Sequence, residues 1–172
     1  SAEPPFRLLG FHTDQSYAVA LHRAQALGGD CQVKAVRPPL GGLLAVCGFP
    51  VCEDDTAGAC AAANDPNTPT DAIAIAAQPI SAITLEAAKE SAPLRRVMFS
   101  YRGDAAKLAE HFLDTFGPAA VDRMSDEEQS WSRSRRMSWE AGPYRMGLLY
   151  RPDVITLTID PQLRAQGRPP AQ

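Results

Sequence analysis

Four cysteines, Cys31, Cys47, Cys52 and Cys60, crowd into one short stretch of a 172-residue chain, and none follows Cys60. Thiols so placed could pair, ligate a metal or lie free as small hydrophobes. Cys47-x4-Cys52-x7-Cys60 lacks the paired C-x2-C knuckles of a structural zinc site, and no histidine lies in the window. The spacing therefore favours two disulfides, and with them an exported protein. Four cysteines permit three pairings. Segments 31–37 and 43–49 flank Pro38-Pro39-Leu40-Gly41-Gly42, a turn-rich break. Folding one back on the other brings Cys31 beside Cys47, which leaves Cys52 to pair with Cys60 around an acidic loop.

The other reactive side chains form no motif that specifies a reaction. Of the three histidines, His22 and His111 fall in helical patterns beside the apolar stripe, and His12 ends a strand-like run near Asp14. There is no G-x-S-x-G elbow and no H-E-x-x-H pair. Acidic residues cluster at Glu53-Asp54-Asp55 and at Asp126-Glu127-Glu128, without the alternating acidic ligands of a calcium loop. Gly28-Gly29 and Gly41-Gly42 are turn glycines, outside any phosphate-binding pattern. Nothing calls for a cofactor, and no metal ligands are assigned.

The segment Ser130-Trp131-Ser132-Arg133-Ser134-Arg135-Arg136-Met137-Ser138-Trp139 is the clearest candidate binding surface. At a period of two, Trp131, Arg133, Arg135, Met137 and Trp139 share one face of a strand. Stacked arginine and tryptophan could engage a ligand by cation–π contact, and both residue types anchor protein interfaces. The competing reading packs Trp131, Met137 and Trp139 on a helix while the arginines snorkel at the sheet edge.

The surrounding pattern must position these residues. Phe6-Arg7-Leu8-Leu9-Gly10-Phe11 reads as a short strand. Thr13 or Asp14 caps a helix with Tyr17, Ala20, Leu21, Ala24 and Leu27 as its stripe, closed by Gly28-Gly29. Two strands, 31–37 and 43–49, follow, and 80–85 adds another. After a loop-like stretch at 61–71, the second half repeats the plan: strand 96–101, a helix capped by Asp104 with stripe Ala105, Leu108, Phe112 and Phe116, then strands near 133–139, 144–150 and 154–160. This predicts an α+β chain of tandem βαββ-type repeats, each antiparallel sheet packed by one helix, the first stapled by disulfides. Its halves are 1–86 and 95–162, joined by a linker at 87–94 and followed by a disordered tail, 163–172.

In layout the chain resembles small exported bacterial proteins built from βαββ-type repeats, some of which work as inhibitors or assembly modules. With 80–85 counted, each half also resembles the vicinal-oxygen-chelate enzymes, which hold a divalent metal with His and Glu from strand ends. That resemblance implies roles for His12 and Glu86, whereas Arg102 and Asp160 stand at the matching ends of the second half.

A net charge of −3 gives no bulk attraction to nucleic acid. No apolar run approaches the ~20 residues that span a bilayer. The opening Ser1-Ala2-Glu3-Pro4-Pro5 reads as a mature or trimmed start. The expectation is a periplasmic or secreted, non-enzymatic module that binds another protein of the cell envelope, as an inhibitor, immunity or assembly factor does. A divalent-metal enzyme of the chelate type and an envelope-glycan binder using Trp131 and Trp139 are the alternatives.

Overall fold

The structure, a computed structural model, describes residues 3–50, 73–124 and 134–163. Cys52, Cys60, both acidic clusters, Trp131, Arg133 and the tail from 164 onward lie outside the described residues.

The elements run α1 (Tyr17–Ala26), β1 (Asp30–Ala35), β2 (Leu43–Gly48), β3 (Ala74–Ile75), β4 (Gln78–Ala87), β5 (Leu94–Tyr101), α2 (Ala105–Phe116), β6 (Val121–Met124), β7 (Arg135–Ala141), β8 (Tyr144–Tyr150) and β9 (Val154–Ile159). Every strand pair is antiparallel, and the fold is α+β. The sheet order is β1-β2-β4-β5-β9-β8-β7-β6, with β3 a short hairpin partner of β4.

Alternation decides which face is buried. Ile83 and Leu85 of β4, Val97 and Phe99 of β5, Ile155 and Leu157 of β9, Met146 and Leu148 of β8, and Met137 and Trp139 of β7 all point to one side and join one core cluster. Both helices cover that side. From α1 come Tyr17, Ala20 and Ala24, and from α2 Leu108, Ala109 and Phe112. Asp104 caps α2 as its sequence predicts, its carboxylate accepting from the Ala106 amide at 2.8 Å, and Gly117 ends the helix at φ 84°.

Expectation and structure part in three places. Residues 6–11 form no strand. Leu8 and Phe11 exchange both backbone hydrogen bonds around Leu9 and Gly10, at φ 53° and 81°. Two positive φ values in succession make a tight hairpin turn, and the Arg23 guanidinium donates to the Leu9 carbonyl at 2.8 Å. The turn drives Phe11 against Phe99 and Phe6 against Phe116. The cap of α1 is Ser16. Thr13 is buried instead, and the Asp14 carboxylate accepts from the Tyr144 hydroxyl at 2.5 Å. Finally, the expected linker at 87–94 is the end of β4 and the turn into β5. These two strands are hydrogen-bonded neighbours, so both halves contribute to one sheet. Tandem βαββ units are not shown.

The hairpin argument for the cysteines holds where it can be seen. Cys31 and Cys47 are direct cross-strand partners in the β1–β2 register and are joined by a disulfide.

Candidate functional site

A groove of about 730 Å3 opens between the first turns of α2 and the ends of β6, β7 and β8. The residue sizes produce it. The helix presents Ala105, Ala106 and Ala109, which are too short to reach the strands opposite. The sheet side presents Met124, Met137, Leu148 and Tyr150. A close-packed interior would fill such a gap with larger helix residues. A second hollow of about 390 Å3 shares Ala106, Ala109 and Arg135, extending the groove along α2 to Leu113. Leu113 and Met124, 41% and 56% exposed, leave apolar surface at the rim.

The groove is held rigidly. Buried Gln78 accepts from the Asp104 amide at 2.7 Å and donates to the Ala76 carbonyl at 3.2 Å, fixing the start of α2 against the β3–β4 turn. Arg135 on β7 grips Asp122 on β6 in two parallel hydrogen bonds, from Nε to Oδ1 at 2.9 Å and from Nη2 to Oδ2 at 2.7 Å. This fork matches a carboxylate in geometry as well as charge. The bond from Arg135 holds the Asp122 carboxyl below its ordinary value, and the same bond raises Arg135. Lys107, Glu110 and Asp114 complete a charged rim around an apolar floor.

Arg135 therefore lines the groove, and Trp139 does not. Trp139 is 2% exposed. Its ring packs edge-on against Phe112 at 5.7 Å, and its indole N–H donates to the Gly117 carbonyl at 2.9 Å. Trp139 and Met137 are core residues, because the period-two face that carries them is the face the helices cover. This corrects the expectation of a Trp–Arg binding face at Trp139 and removes its part in glycan stacking. Trp131 and Arg133 lie outside the described residues.

The ligand set implied by the chelate resemblance is not brought together. Glu86 stands on the sheet face away from the helices. It pairs with Arg96, its direct cross-strand partner, at 2.9 Å, and with Arg95, the extra residue at the bulge between Glu86 and Ala87, at 3.4 Å. His12 follows Phe11 on the helix side. Arg102 and Asp160 stand at opposite ends of the sheet, since β5 and β9 are antiparallel. Among the described residues no group of three or more His, Cys, Asp or Glu could hold a metal ion.

Ala106, Ala109 and the β6 strand escaped the sequence reading, and Ala105, read as part of the helix stripe, lines the groove instead. Three alanines at the start of α2 are an ordinary helix signal, and only the tertiary structure shows that they face long side chains across a gap. Val121–Met124 is short and carries two charges, so its alternation is too brief to register. Searched against family models, curated proteins and solved structures, the chain matches none of them.

Proposed function

We propose that this chain is an exported, periplasmic or secreted, protein-binding module, and that its partner seats an apolar side chain in the groove beside Arg135. The groove itself carries the reading. It is an apolar hollow of ligand-pocket size, left open by three alanines and ringed by Lys107, Glu110, Asp114 and the Asp122–Arg135 pair. A buried anchor within a polar rim is how protein interfaces concentrate their binding energy. Export is supported by the Cys31–Cys47 disulfide, because such bonds persist in oxidising compartments. Inhibition, immunity and envelope assembly are all jobs a module of this kind performs.

Substitutions that fill the groove test it. Ala106 is exposed and lines both hollows, so Ala106→Trp occupies the groove without disturbing the core. With a photo-crosslinker at Leu113, one dominant partner should be recovered from a cell-envelope extract. Ala106→Trp should lose it, and Arg135→Ala should weaken it while far-UV circular dichroism stays unchanged. An exposed ion pair is worth only about 0–1 kcal/mol to folding, so loss of capture in Arg135→Ala reports on the surface. Arg145→Ala, on the opposite face, should capture normally. Equal recovery from all four proteins rejects the reading.

A further inference from the structure

Among the described residues the sheet ends at β1, and no described element covers that end. Five of the six β1 residues are exposed, Cys31 alone being partly buried. The β1–β2 register runs from Asp30↔Gly48 to Ala35↔Leu43 without a bulge, so the edge is straight, and it contains no proline. The Cys31–Cys47 disulfide pins it to β2. Proteins usually blunt such an edge with bulges, prolines or inward charges.

The hydrogen-bond phase shows which backbone groups are free. The Val36 amide donates to the Gly42 carbonyl at 2.9 Å. In this register the even-numbered residues of β1 therefore bond to β2, and the odd-numbered residues, Cys31, Val33 and Ala35, turn their N–H and C=O groups outward. A strand arriving antiparallel must bond to those three.

We propose that the arriving strand is β1 of a second copy of this chain, paired antiparallel about Gln32. The argument is charge complementarity. With Gln32 opposite its own copy, Asp30 faces the second copy's Lys34 and Lys34 faces its Asp30, so both ion pairs form at once. Cys31 and Val33 then fall opposite one another as the hydrogen-bonded pairs, which are the residues whose backbone groups are free. Asp30, Gln32 and Lys34 fall in the non-hydrogen-bonded positions, where facing side chains stand closest. Shifting the centre to Cys31 or Val33 keeps the backbone phase but loses both ion pairs. The contact is isologous, closes at two copies, and half-covers Val33, which is 53% exposed. One six-residue strand pair lies at the small end of specific interfaces, so the dimer is reversible and concentration-dependent. This inference is independent of the groove at the other end of the sheet.

Charge reversal reads the register directly. Sedimentation or light scattering over a concentration series should show a monomer–dimer equilibrium. Lys34→Asp sets Asp against Asp twice and should raise the dimer dissociation constant about tenfold or more. Asp30→Lys with Lys34→Asp restores both pairs in reverse and should recover dimerisation. Under mild oxidation Gln32→Cys should cross-link to itself on a non-reducing gel, whereas Lys34→Cys should not. All three positions tested, Asp30, Gln32 and Lys34, are exposed, and circular dichroism checks that each variant is folded. A protein that stays monomeric up to its solubility limit overturns the proposal. So does a dimer that Lys34→Asp leaves intact, or cross-linking by Lys34→Cys in place of Gln32→Cys. A hetero-partner strand on this edge would show as the first of these results.

Discussion

At the scale of single residues, His12 is where protonation meets folding. Its Nδ1 is buried with no hydrogen-bond partner among the described residues. Burial pushes its pKa below 6.5, the nearby Arg7 charge adds to that, and the Asp14 carboxylate opposes it. The sign follows. Above pH 6.5 the ring is neutral in both the folded and the unfolded chain. As pH falls through 6.5 the unfolded chain takes up its proton first, so stability drops until the folded His12 protonates too. Urea unfolding followed across this range should show stability declining with acid in the wild type and a flatter profile in His12→Gln. Identical profiles would show that His12 is not the group responsible. The same scale shows what sequence could and could not say about the site. The alternation of Arg135, Met137 and Trp139 was legible. Which side of the strand meets the helices was not, because a period of two fixes that alternate residues share a face without saying which face is buried. Trp139 went inward because Phe112 and the Gly117 carbonyl satisfy both its ring and its N–H.

At the scale of elements, the β1–β2 hairpin carries the sharpest expectation. Its turn residues set the fold-back, the fold-back set Cys31 opposite Cys47, and the disulfide closes that loop with a sequence separation of 16. In the chain-entropy picture such a closure stabilises by roughly 3 kcal/mol. Reduction, or Cys31→Ala with Cys47→Ala, should therefore lower unfolding stability by about 2–4 kcal/mol, and peptide mapping without reductant should recover the two cysteines linked. A native protein whose Cys31 and Cys47 both alkylate would contradict this and, with it, the argument for export. Elements with long apolar patterns were readable in the same way. The strand at Tyr144–Tyr150, the α2 cap and the stripe Leu108 and Phe112 follow from periodicity and capping alone. Residues 6–11 misled because an apolar run looks the same whether it extends as a strand or folds into a turn that plugs a core. The deciding contacts, Phe6 with Phe116 and Phe11 with Phe99, lie about a hundred residues away.

At the scale of the whole molecule, the β4–β5 pairing makes two halves into one object. Leu85 faces Val97 and Ile83 faces Phe99 across that seam. Phe11, from the first half, packs on Phe99 from β5, and the Asp14–Tyr144 bond ties the N-terminal segment to β8. Cutting the chain in the 88–93 turn would leave each fragment with an open sheet edge and unmatched core residues, so neither should be stable alone. Unfolding should follow as one cooperative transition. Tryptophan fluorescence sees only the second half, because both tryptophans, Trp131 and Trp139, lie there. Amide exchange in β2 sees the first. The two probes should give the same denaturant midpoint, and far-UV circular dichroism should coincide with both. Midpoints that separate, or a 95–163 fragment that folds by itself, would mean that the seam joins two independent units and that the contacts crossing it contribute little to holding either together.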